Sequence, residues 1–96
     1  MNTYRIGNIS IEDFRLFLAD EGCQKVESGN SGHEKWSKEG LMRPVVFQTH
    51  IDPIPEFIIR NNLCNLGLTG NDLRAWLKKR DTKKRSNNLG VIVALF

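Results

Sequence analysis

Between residues 9 and 22 the apolar positions recur every three or four places. Ile11, Phe14, Phe17 and Leu18 form one stripe, the mark of a helix that buries a single face. Ser10 precedes the stripe, and Glu12 and Asp13 follow in what would be the first turn. A hydroxyl there caps open amides, and acids answer the positive end of the helix. With Ile9 placed to staple onto Phe14 and Gly22 placed to terminate, the spacing predicts a helix over 11–21. The period then shortens. Residues 23–27 and 34–38 read as two strands joined by the turn-rich Ser28-Gly29-Asn30-Ser31-Gly32, a hairpin. After a turn at Glu39-Gly40, the β-branched and aromatic stretch 43–50 reads as a third strand with Pro44 at its beginning.

Helical spacing returns at Asp52-Pro53, an N-cap followed by proline at the first helical position, with Pro55 still in the first turn. Phe57, Ile58, Ile59, Leu63 and Leu66 supply its expected buried face, and Gly67 its end. Thr69-Gly70-Asn71-Asp72 repeats the capping pattern, with Leu68 and Leu73 as staple and Leu73, Trp76 and Leu77 as a buried stripe. These elements predict an α+β fold in the order α-β-β-β-α: a three-stranded antiparallel meander packed on two helices, with an extra short C-terminal helix.

At 96 residues the chain has room for one core, which excludes a cofactor cleft between two lobes. Fourteen basic against 11 acidic residues give a net charge of +3, but the location of the charge changes its meaning. Lys78 to Arg85 holds six basic groups and one acid, so the remainder carries eight against ten and is mildly acidic. The expected organisation is one domain over 1–80 and a tail over 81–96, basic and then apolar. The apolar run Val91–Phe96 is far shorter than the roughly 20 residues that cross a bilayer. Its β propensity calls for packing, as an added strand on this sheet or across a homodimer. Cys23 and Cys64 lie far apart without metal-ligand or disulfide spacing, and Met1–Asn8 holds no apolar stretch of the signal type. The cytoplasm is the expected location, and neither a metal nor a cofactor is expected.

One feature carries chemistry. His33 sits beside Gly32, with Lys35 two residues on and hence on the same strand face, while Trp36 alternates to the other. RNA is cut without metal when a base takes the 2′-hydroxyl proton and the adjacent phosphorus is attacked in line, work for which an imidazole is suited. Lysine beside it would answer the charge developing on phosphorus. Lys38 and Arg43, flanking the next turn, are candidates for neighbouring phosphates, and the basic run Lys78–Arg85 for salt-sensitive affinity. For each cation alone, a solvated sheet face is the plainer reading. His50, 17 residues from His33, reads as a capping or packing histidine at a strand end, or as a second proton carrier.

Gly22, the Gly32-His33 pair followed by an aromatic at Trp36, Phe47-Gln48-Thr49-His50, and the stretch from Pro53 to the leucine-glycine at 66–67 together resemble the HicA family, small ribonuclease toxins of bacterial toxin-antitoxin pairs. The resemblance covers roughly residues 10 to 77. It implies a double-stranded-RNA-binding-domain-like fold, a metal-independent endoribonuclease acting on mRNA with His33 as general base and acid, and phosphate contacts from Ser31 and Gly32. It also implies a HicB-like antitoxin covering His33. The family places serine between glycine and histidine. Here the order is Ser31-Gly32-His33, and the acidic Glu34 follows. Two other readings stand beside it: a non-catalytic RNA-binding module of the same fold, and a helix-turn-helix DNA binder built from the last two helices.

Overall fold

A computed structural model describes residues 5–26 and 32–81. Ser31, the turn residues before it, Lys83, Lys84, Arg85 and the apolar run 91–96 lie outside the described residues. The 81–96 tail thus lies outside them too, save for Asp81.

The first helix, α1 (Ile11–Asp20), forms where its signals agree. The Ser10 side chain accepts from the Asp13 amide at 3.0 Å, and Ile11, Phe14, Phe17 and Leu18 are buried. Gly22, at φ 86°, closes the helix as the Gly22 and Cys23 amides donate to the Ala19 and Leu18 carbonyls, the paired bonds of a Schellman end. The chain then enters a three-stranded antiparallel sheet, β1 (Gln24–Val26), β2 (His33–Ser37) and β3 (Val45–Gln48), in the order β1-β2-β3. Register pairs Lys25 with Trp36, Glu34 with Phe47 and Trp36 with Val45. Directly opposed residues share a face. Glu34, Trp36, Val45 and Phe47 therefore point one way, toward α1, where Phe47 meets Phe14 edge-on at 5.4 Å between centroids.

The second helix corrects the expectation. Neither Asp52 nor Pro53 begins it: α2 spans Glu56–Asn65 with Pro55, in extended conformation, at the N-cap. A proline drives the residue before it out of the helical region, and two prolines here act on Asp52 and Ile54. The extended segment is held from afar, since the Ile54 amide donates to the Ile9 carbonyl at 2.8 Å and the two form an antiparallel bridge. The Asp52–Pro53 peptide is cis. Asp52 instead serves α1, accepting from the Ile11 amide at 3.2 Å. The buried face of α2 is Ile59, Asn62 and Leu63, with Ile58 and Leu66 half-buried. Phe57, expected in the core, is 65% exposed, because it lies two positions from Ile59 and therefore on the opposite side of the helix.

Thr69 and Asp72 form the expected capping box. The Thr69 amide donates to Asp72 Oδ2 at 2.7 Å, and the Asp72 amide donates to Thr69 Oγ1 at 3.3 Å. Helix α3 covers 70–81, longer than the short appendage expected and integrated with the core. Leu73 and Leu77 are buried. Trp76 packs edge-on against Phe17 at 5.5 Å and donates to Asp20 Oδ2. Arg80 lies over the Trp76 ring and pairs with Asp13. The core thus forms between one face of the sheet and the helices laid on it.

Candidate nucleic-acid interface on the open sheet face

The other face of the sheet is the candidate site, and alternation along β2 builds it. His33 and Lys35 are exposed, whereas Glu34 between them is 2% exposed. Register brings Gln48 opposite His33, and Val46 and Val26 opposite Lys35. The Thr49 amide donates to the Gly32 carbonyl at 3.0 Å, which makes that pair a hydrogen-bonded one and the next, His33 with Gln48, a non-hydrogen-bonded one. Side chains approach most closely at such positions, with Cβ atoms ~5 Å apart. Imidazole and carboxamide therefore stand together on the surface.

Gly32 has φ 72°, a left-handed conformation that favours glycine, with open space where a Cβ would lie. Its carbonyl also accepts from Thr49 Oγ1 at 3.0 Å, so the residue that leads into His33 is tied to Thr49 by two bonds. Ser31 lies outside the described residues. His50 is exposed in the turn after β3, two positions beyond the partner of His33.

Lys38 and Arg43 lie at the other end of the sheet. Five residues of strand separate Lys38 from His33, about 16 Å of rise. Lys38 is half-buried and donates from Nζ to the Glu21 carbonyl at 3.3 Å, which places a cation at the C-terminal end of α1. Arg43 is exposed, and its carbonyl accepts from Asn65 Nδ2 at 3.0 Å. The face thus brings together His33, Lys35 and Gln48, and it does not bring Lys38 or Arg43 to them.

Directly beneath is a polar group that sequence reasoning set aside. The Glu34 carboxylate receives Arg15 Nη2 at 2.7 Å and Arg15 Nε at 2.9 Å, and Trp36 Nε1 at 2.7 Å. Lys25 Nζ stands 3.7 Å away. Burial on its own would raise the Glu34 carboxyl, but the hydrogen bonds from Arg15 and Trp36, with the charges of Arg15 and Lys25, hold it below the usual carboxylate range. The same bond raises the Arg15 guanidinium. The signal was the alternation itself: if His33 and Lys35 share one face, Glu34 shares the other with Trp36 and needs a cation there. Burial pushes the Cys23 thiol up, which keeps it an unreactive core residue.

Among the described residues no three His, Cys, Asp or Glu side chains gather to hold a metal ion, and no helix is long and apolar enough to cross a membrane. The class defined is a small α+β protein whose three-stranded antiparallel meander is covered by helices on one face, with a histidine and a lysine presented on the other. Comparison with family models, with curated proteins and with solved structures finds no match.

Proposed function

We propose that this chain is a HicA-like toxin, a metal-independent endoribonuclease that cleaves mRNA with His33 as general base and acid and is held inactive by a HicB-like antitoxin. The observation that carries the reading is an imidazole exposed on a strand, next to a glycine whose carbonyl accepts two hydrogen bonds from Thr49. A base must reach the ribose hydroxyl from a fixed position, and a sheet holds it better than a loop does. Lys35 on the same face supplies positive charge for the phosphorane, and Gln48 a carboxamide for the sugar or base. Glu34, the acid that breaks the family pattern, is buried on the helical side, so the open face keeps its basic character.

The test is expression of wild-type and His33→Ala side by side, following growth and intact RNA, with cleavage by the purified proteins repeated in a chelator. Wild-type arrests growth and cuts RNA with chelator present. His33→Ala loses both by about 100-fold or more while its melting stays within about 0.5 kcal/mol of wild-type, as befits an exposed position. Undiminished cleavage by His33→Ala would falsify the assignment. Salt-dependent RNA retention without any product from the wild-type protein identifies a binding module instead.

A further inference from the structure

A groove of about 670 Å³ lies away from the open sheet face, between the turn Ile6–Asn8, α2 and the start of α3. Three separate segments each send an arginine to it: Arg5, Arg60 and Arg74. Glu56 is the one carboxylate among its described lining residues. Two of the guanidinium groups, those of Arg60 and Arg74, converge. Arg74 Nη1 and Arg60 Nη1 stand 3.5 and 3.6 Å from the point where a Cβ on Gly70 would lie, so the two nitrogens are at most about 7 Å apart. A side chain at Gly70 would overlap Ile6 Cδ1, so glycine there lets Ile6 pack against the start of α3 at the floor of the groove.

The Arg60 and Arg74 guanidinium groups are also oriented. Arg60 Nε donates to Glu56 Oε2 at 2.7 Å, and Arg74 Nη1 donates to Asn71 Oδ1 at 2.8 Å. A guanidinium carries five donors, and these contacts use one in each case. Two like charges at this separation, with one carboxylate between three cations, repel. A phosphate accepting at ~2.8 Å from both turns that repulsion into attraction.

We propose that this groove is a second phosphate-binding site, one that takes the sugar-phosphate backbone of single-stranded RNA. The inference rests on RNA as the ligand of this chain but not on its being cut. An acidic protein segment would meet arginine anchors here as well, but it fits less well because the groove offers no exposed apolar or aromatic surface beside them: its one apolar lining residue among those described, Ile6, is 2% exposed. The groove is also much larger than a single phosphate, which leaves room for the sugar and base attached to it.

The test uses the full chain carrying His33→Ala, so that RNA stays intact, and a fluorescent single-stranded RNA read by anisotropy over a salt series. Arg74→Gln and Arg60→Gln/Arg74→Gln are compared with Lys25→Gln, which removes one charge elsewhere. The expected result is binding about tenfold weaker in the double variant, with the salt slope reduced by about 0.7, the change for the one phosphate that the variant no longer neutralises. Melting temperatures establish that each variant is folded. Unchanged affinity and slope overturn the proposal, as does a loss in Arg74→Gln no greater than in Lys25→Gln. Loss of poly-glutamate binding with RNA binding intact also overturns it, in favour of an acidic protein partner. If the groove variants lose RNA while wild-type never cuts it, the groove stands and the nuclease reading falls. If wild-type cuts and the groove variants bind normally, the reverse holds.

Discussion

Glu34 shows how much one residue commits this molecule to. A carboxylate that is 2% exposed is tolerable only when its acceptors are filled, and Arg15 and Trp36 fill them. Glu34→Gln keeps the shape and leaves an amide facing Arg15; since Arg15 is 44% exposed and finds water, the expected loss is about 2 kcal/mol. The pH dependence has a definite sign. The folded carboxyl lies below its unfolded value, so its contribution is complete above the unfolded pKa, about 4.3, and is lost as pH falls through the folded one. Urea titrations at pH 7 and pH 3 should therefore show a smaller acid loss in Glu34→Gln than in wild-type, and equal losses would refute the account. The partner of Glu34 lies 19 residues away, which is why alternation marks the carboxylate as buried but does not name what meets it.

Among the elements, α1 was legible because cap, stripe and terminator all agree on it. The start of α2 was not, because proline in a first helical turn and proline holding a chain extended look alike locally. The choice is made by the Ile9–Ile54 bridge, 45 residues apart in sequence. A second long-range feature ties α2 to the sheet. β3 is an edge strand, and Asn62 accepts from the Val46 amide at 3.4 Å and donates to the Val46 carbonyl at 3.0 Å, so one side chain satisfies the outward-facing pair that an edge exposes. Asn62→Ala should cost about 1–2 kcal/mol and raise hydrogen exchange at Val46 above that at Phe47. If exchange is equal at both, the side chain is not what protects the edge. Position 62 read from its neighbours is simply polar; only the strand beside it explains its burial.

At the scale of the molecule, α3 is held to α1 by Phe17, Trp76, Asp20, Asp13 and Arg80. Arg80→Met removes the ion pair and the contact over Trp76, but Arg80 Nε is buried without a hydrogen-bond partner, which offsets part of the loss. The expected destabilisation is about 1 kcal/mol, seen as faster amide exchange in 70–81 with the sheet unaffected; uniform acceleration would mean that α3 does not open as a unit. The order of elements and the sheet's alternation were written locally, whereas the arginine groove draws on residues 5, 60 and 74 and has no local signature. The two-sided build of β2 also sets what variation the chain tolerates. One residue inserted between His33 and Glu34 would turn the strand over on one side of the insertion, sealing a carboxylate's place with the wrong group and sending the acid out to water. Spelling in this stretch is therefore freer than length: exchanges at 33 and 35 alter the open face without unfolding the chain, whereas a single codon gained or lost there would disturb the open face and the core together.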